Sequence, residues 1–152
     1  MNRLYNLDYL RGLAAFGIMI YHYSRWMTGD YDSDSFIGRL GIYGVSIFYV
    51  LSGLTLFYVY QNKLTFTIGS ISQFFKKRCF RIFPLLWLVT IMAIVLSKQS
   101  PDIVKLALNF TGLFGFVDWD GYFTTGAWSI GNELVFYVFF PFFILFANKS
   151  KI

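Results

Sequence analysis

One apolar stretch near the start of the chain, from Leu7 to Trp26, constrains the fold more than any other feature. Twenty residues of α-helix rise about 30 Å, which matches the hydrocarbon core of a bilayer. The stretch therefore predicts a membrane helix. It nevertheless contains Asp8, Arg11 and the only histidine of the chain, His22. Ionisable side chains are costly in such a helix and often mark function.

Arg11 and His22 are eleven positions apart, which is about three helical turns. The spacing predicts that they share one helix face, about 16 Å apart along the axis. One interpretation is a reaction centre at His22 and an anion-holding cation at Arg11. The alternative is that Asp8 and Arg11 mark the membrane interface, where long side chains reach water, and that His22 is a polar residue buried in a helix bundle.

The composition favours a membrane protein. Charged residues make up 14% of the chain, against about 25% in soluble domains, and hydrophobic residues make up 57%. The net charge is +5, but the basic residues form no cluster in a segment that looks soluble. We therefore expect no nucleic-acid partner. With one cysteine, Cys79, and one histidine, the chain cannot form an internal disulfide or a zinc site of the usual kind. We expect no metal.

The pattern of apolar runs predicts an all-α fold, a polytopic transmembrane helical bundle with about four spanning helices. A fifteen-residue run is too short to span and predicts a shallow or re-entrant helix. A basic segment from Ser72 to Phe83 predicts an interfacial helix on the membrane surface, before a spanning helix with Pro84 in its first turn. Within residues 1–152 the predicted ranges are 8–27, 41–60, 82–97, 103–117 (the short helix) and 127–148.

The cations predict the orientation, because lysine and arginine accumulate in cytoplasmic loops. The loop after the first helix is rich in aspartate, whereas the connector between the second and third helices is basic. We expect both termini and the connector in the cytoplasm, His22 toward the outer side, and a multi-pass protein of the cytoplasmic (inner) membrane. The cations used are Lys63, Lys76, Lys77, Arg78 and Arg81 in the connector, and Lys149 and Lys151 after the last helix.

Two further pairs have the spacing of helix neighbours. Arg78 and Arg81 share a face, and paired guanidiniums suit phosphate groups; their alternative role is to fix topology. Ser129 and Glu133 also share a face. A carboxylate inside an apolar run needs a partner or a proton. By depth, His22 is the expected partner of Glu133, and a polar contact that stabilises the bundle is the alternative.

Taken together, these segments resemble the acyltransferase-3 family of integral-membrane O-acyltransferases. The resemblance rests on LDYLRG, the ten residues between Arg11 and His22, GVSIFYVLSG, the arginine pair before FPLLWL, and WSIGNELVFY, in that order. The motifs cover about Leu7 to Leu145. They are similar to the family pattern in combination, although none is specific alone.

The resemblance implies an enzyme that takes an acyl group from acetyl-CoA or another acyl-CoA and passes it to a hydroxyl of an extracytoplasmic carbohydrate or similar acceptor. It implies His22 as the essential histidine, acting as general base or as transient acyl carrier, with Glu133 orienting it. Donor binding falls to Arg11, Arg78 and Arg81. Supporting positions are Asp8, Ser52, Gly53, Trp128 and Ser129.

The chain differs from the family pattern in length, because family members continue through many more helices. We expect either a fragment or a natural short form, with donor binding at most and little turnover by the chain alone. Two other functions stay open: a small proton-coupled transporter that relays protons through His22 and Glu133, and a non-catalytic membrane partner. Homo-oligomerisation is also left open.

Overall fold

The computed structural model describes residues 5–98 and 100–149, with only the backbone of Lys149. Lys151 and the side chain of Lys149, used in the orientation argument, lie outside the described residues. The described part is all-α, with no strand, and divides into two compact units, residues 1–61 and 62–152. Its helices are α1 (Tyr5–Thr28), α2 (Phe36–Tyr60), α3 (Ile68–Ser97), α4 (Ile103–Thr111), α5 (Phe114–Val117) and α6 (Ala127–Lys149).

Three of these helices are long and apolar enough to cross a membrane: α2, α3 and residues Ala127–Asn148 of α6. The prediction of an all-α transmembrane protein is therefore confirmed. The first helix is long enough, at 24 residues, yet it is not among the three. Asp8, Arg11 and Arg25 lie in α1, and charged residues lower its mean hydropathy. The fourth predicted span stays a prediction.

In the first unit, α1 and α2 run antiparallel and touch through glycines. A Cβ at Gly41 would lie 2.6 Å from the Tyr21 ring, and one at Gly44 would lie 3.0 Å from Ile18. Small residues let helix backbones approach closely. The structure thus supports a packing role for Gly44, and the two helices form one continuous contact.

In the second unit, α3 is one helix of 30 residues, which corrects the prediction of a separate interfacial helix before residue 82. Thr67 caps it by accepting a hydrogen bond from the Ser70 N–H. No glycine follows between Ser70 and Ser97, so Pro84 is the only helix breaker. Pro84 lies inside the helix rather than in a first turn, and the basic segment continues directly into the apolar one.

The predicted short helix over 103–117 is two helices in the structure. Gly112 ends α4 with a φ of 74°, a conformation that favours glycine. A Cβ there would also meet Leu134, 2.7 Å away. The nine residues of α4 rise about 14 Å, so the prediction that this segment is too short to span is confirmed. Whether it is shallow or re-entrant stays a prediction.

The core of the second unit is centred on Leu86, Phe114 and Ala127, all at most 2% exposed. Beside it, α5 crosses α6 at two glycines. A Cβ at Gly115 would lie 2.6 Å from the Gly131 carbonyl oxygen, and one at Gly131 would lie 3.0 Å from the Gly115 Cα. This backbone contact fixes the first turns of α6, which carry Ser129 and Glu133.

Candidate active site

Arg11 is a largely buried cation in the first unit, with 14% of its side chain exposed. Its guanidinium lies over the Phe48 ring of α2, 5.5 Å from the centroid, and 3.9 Å from an Asp8 carboxylate oxygen. Among the described residues, its Nε has no hydrogen-bond partner. A buried donor left unmatched is costly, so this position favours an added anion.

Ser52 lies one helical turn beyond Phe48 on α2 and is 7% exposed. Within the part of the chain that the structure describes, its hydroxyl oxygen also has no hydrogen-bond partner. Gly53, the next residue, is half-buried. Because α1 and α2 are antiparallel and Arg11 contacts Phe48, the next turn of α2, with Ser52 and Gly53, lies beside the preceding turn of α1, with Asp8. The α1–α2 register thus places four predicted site residues at one end of this helix pair.

His22 lies at the other end of α1. The helix is continuous from Tyr5 to Thr28, so Arg11 and His22 share a face about 16 Å apart. The half-buried imidazole meets the Tyr21 ring edge-on, with centroids 5.3 Å apart. Tyr21 in turn covers Gly41, which anchors this part of α1 to α2. The imidazole therefore projects from a packed helix rather than from a loop.

Arg78 occupies an aromatic setting between α3 and α6 of the second unit. Its guanidinium carbon lies 5.8 Å from the Phe74 centroid and 5.6 Å from the Tyr137 centroid. Phe74 is 1% exposed and stacks on Phe140 at 5.5 Å. Contacts of a cation with ring faces are favourable, more so when water is excluded. Arg78 thus belongs to the α3–α6 contact.

Glu133 has a partner on its own helix. The Tyr137 hydroxyl donates a hydrogen bond to a Glu133 carboxylate oxygen. Tyr137 is 2% exposed, and its ring face carries Arg78. The structure therefore connects Arg78, Tyr137 and Glu133 in one array. His22 and Glu133 belong to different units, and their pairing stays a prediction.

The other predicted residues of this unit have simpler surroundings. Arg81 is exposed, one turn after Arg78 on α3. Ser129 donates to the Gly126 carbonyl at 2.7 Å, closing the first turn of α6, and Trp128 beside it is half-buried. We conclude that Ser129 has a local structural role here, while Arg81 is accessible to a ligand.

Sequence reasoning missed Tyr137 and Phe74. The signal for Tyr137 was available, because it lies four residues after Glu133 and neighbours on a helix are three or four apart. Phe74 is four residues before Arg78 for the same reason. Both were obscured because aromatic residues make up 22% of the chain, so an aromatic residue near a charged one is common.

Comparison with known proteins gives a consistent result. The model of the acyltransferase-3 family, described as an acyltransferase domain, matches residues 4–152. Proteins of Staphylococcus aureus strains COL, MSSA476 and MRSA252, each named "Putative O-acetyltransferase", are similar to the chain at 27% identity. The match covers 93% of this chain and 24% of each relative. The chain thus spans about a quarter of their length. No solved structure matches it.

Proposed function

The chain belongs to the acyltransferase-3 family, and we propose that it functions in a membrane-bound O-acyltransferase. The enzyme moves an acyl group, most simply acetyl, from cytoplasmic acyl-CoA to a hydroxyl of an extracytoplasmic carbohydrate or similar acceptor. The array of Arg78, Tyr137 and Glu133 is the observation that carries the proposal. Ionisable groups in apolar helices are costly, and those that are present often mark function.

The donor side of the reaction needs cations, because acyl-CoA carries phosphates. Arg81 is exposed and can meet a phosphate with paired N–H donors. Arg78, held against two rings, contributes charge at a fixed position. Arg11 offers a buried Nε without a partner among the described residues, a third donor for an anionic ligand. These three residues would hold acyl-CoA from the cytoplasmic side.

The acyl transfer itself falls to His22. As a general base, its imidazole takes the proton of the acceptor hydroxyl while that oxygen attacks the thioester carbonyl. The CoA thiolate leaves and recovers the proton. As an acyl carrier, the imidazole nitrogen attacks the thioester carbonyl first and the CoA thiolate leaves. The acceptor hydroxyl then attacks the acyl-imidazole carbonyl, the imidazole is released, and the hydroxyl proton passes through it to the thiolate. In either route Glu133 balances and orients the charged imidazole. Both routes stay open.

The orientation of the protein follows from the cations around α3. The basic connector and both termini lie in the cytoplasm, the arginine pair lies toward the cytoplasmic side, and His22 lies toward the outer side of the inner membrane. An acceptor outside the cell and a donor inside it can then approach one protein from opposite faces. This arrangement fits the spacing of Arg11 and His22, which lie about 16 Å apart along α1.

A vesicle experiment tests the proposal. Inside-out membrane vesicles that contain the native protein, expressed from its own gene, receive acetyl-CoA labelled in the acetyl group. We expect label to enter the carbohydrate enclosed by the vesicles, in step with CoA thiol release. Vesicles without the protein are the control. CoA release without transferred label, or uptake of a solute without any acyl donor, would contradict acyl transfer and favour the transporter alternative.

A further inference from the structure

A groove on the second unit lies outside the residues assigned to acyl transfer. It lies between α3 and α4 and has a volume of about 480 Å³, within the range of ligand sites. Its walls are almost entirely apolar, and the indole N–H of Trp87 is satisfied by the Phe110 carbonyl at 2.9 Å. The lining includes Phe80, Phe83, Pro84, Trp87, Phe110 and Thr111.

The groove continues a stripe of α3 that begins with two lysines. Residues three or four apart on a helix are neighbours, so both lysines adjoin Phe80. Phe83 and Pro84 lie seven residues after Lys76 and Lys77, which places them on the same faces two turns further along. Both lysines are exposed. Arg78 points instead to the α6 side, against Tyr137. The cations of α3 therefore divide between the proposed active site and this groove.

We propose that the groove holds one acyl chain of an anionic phospholipid whose phosphate lies between Lys76 and Lys77. Along α3 the two lysines come first and the apolar cavity begins one to two turns further on. A phospholipid has the same order, with its phosphate at the membrane surface and its acyl chain deeper. Basic patches beside transmembrane helices attract anionic lipid headgroups in this way. The charge and the cavity together select this lipid over a zwitterionic one. The inference does not depend on acyl transfer.

A photo-crosslinking experiment identifies the occupant. Phe80 lines the groove and is 80% exposed, so it is replaced by the photoreactive residue benzoylphenylalanine. The protein is reconstituted in vesicles of equal phosphatidylglycerol and phosphatidylcholine, irradiated, and analysed by mass spectrometry. A second probe at Val95, exposed near the far end of α3, reports the bulk lipid. We expect the ratio of phosphatidylglycerol to phosphatidylcholine at Phe80 to exceed that at Val95 by about fivefold for each lysine.

Charge variants decide the role of the lysines. Replacing Lys76 and Lys77 together by Gln should bring the ratio at Phe80 down to that at Val95. Replacing Lys63 and Lys98 by Gln removes the same charge outside the stripe and should leave the ratio unchanged. Filling the groove with Thr111→Trp should reduce total lipid crosslinking at Phe80.

Three results would overturn the proposal. Equal ratios at Phe80 and Val95 would show an unselective lipid surface. Crosslinking to a peptide of the protein would show that the groove is a protein contact. Displacement of the lipid by long-chain acyl-CoA would assign the groove to the acyl donor. If phosphatidylglycerol does not crosslink in vesicles that still support acyl transfer, the groove proposal fails and the proposed acyl transfer stands. The two proposals can therefore be tested separately.

Discussion

The Tyr137 hydroxyl donates a hydrogen bond to Glu133, one helical turn earlier on α6, and the ring face of Tyr137 carries the Arg78 guanidinium of α3. This relationship gives a carboxylate in a membrane helix both a donor and a nearby cation. An isolated carboxylate would be costly there. Tyr137 therefore contacts both Glu133, the proposed catalytic residue of the second unit, and Arg78, a proposed donor-binding residue.

Tyr137→Phe tests this relationship. The variant keeps the ring against Phe74 and Arg78 and removes only the hydroxyl. Hydrogen bonds to charged groups contribute roughly 1.5–3 kcal/mol, so we expect the rate of acyl transfer to fall about tenfold or more. Initial rates in membranes with equal protein content provide the measurement. Tyr58→Phe in α2 is the matched control. An unchanged rate in Tyr137→Phe would contradict a role for the hydroxyl.

Glu133→Gln separates the charge of Glu133 from its hydrogen bond. The amide oxygen of glutamine can still accept from Tyr137, while the negative charge is lost. We expect a fall in acyl transfer that is smaller than the fall caused by His22→Gln. Rates of both variants, measured side by side with acyl-CoA binding, would show this order. A Glu133→Gln enzyme as inactive as His22→Gln would mean that the charge itself is essential.

The two arginines of α3 should respond differently to replacement by lysine. Arg78→Lys keeps the charge but loses the planar contact with two rings, worth about 0.5–2 kcal/mol, so the thermal midpoint in detergent should fall. Arg81 is exposed, and Arg81→Lys should leave that midpoint unchanged but weaken acyl-CoA binding. The double variant should weaken binding further and preserve topology. Inversion of the topology with unchanged binding would instead support the topology role of the pair.

The glycine crossing of α5 and α6 predicts a large contrast between two substitutions. In Gly115→Ala the new Cβ would lie 2.6 Å from the Gly131 carbonyl oxygen, and backbone cannot yield as a side chain does. Overpacking of this kind costs about 1–3 kcal/mol. A Cβ at Gly69, in the first turn of α3, meets nothing within 4 Å. We expect Gly115→Ala to lower the thermal midpoint and Gly69→Ala to leave it equal or higher. Equal midpoints would show that the crossing is not tight.

Labelling with an impermeant thiol reagent tests the orientation. Ser33 and Lys63 are exposed positions in the two loops that flank α2, and α2 is long and apolar enough to span. Cysteines at these positions, with Cys79 replaced by Ala, should react from opposite sides. In intact cells, we expect labelling at residue 33 and none at residue 63 until the membrane is opened. Equal labelling of both in intact cells would contradict the orientation.

The sequence alone predicted helix type well and helix boundaries less well. Apolar runs predicted α2, α3 and α6, because bilayer thickness fixes their length. The separate interfacial helix was wrong, because Pro84 was read as a start signal although no other helix breaker lies between Ser70 and Ser97. The break at Gly112 was missed, since it depends on the positive φ and on contacts with Leu134 and Phe83.

The sequence predicted which candidate residues share a helix face, but it did not predict the contacts between helices. Helix spacing placed Arg11 with His22, and Arg78 with Arg81, on shared faces, and continuous α1 and α3 preserve that spacing. The contact of Arg78 with Tyr137 depends on how α3 packs against α6, which no periodicity within one helix specifies. The Tyr137–Glu133 bond lies within one helix, yet competing aromatic neighbours hid it.

Replacement of His22 tests the account most directly. His22→Gln is made in the native protein, and membrane yield, acyl-CoA binding and acetyl transfer are measured on the same membranes. We predict normal yield and binding, because the donor is held by the arginines. Transfer should fall by about 10²–10⁴ or more, the usual contribution of general acid–base catalysis. Full transfer activity in His22→Gln would remove this histidine from the mechanism and contradict the proposed function of the site.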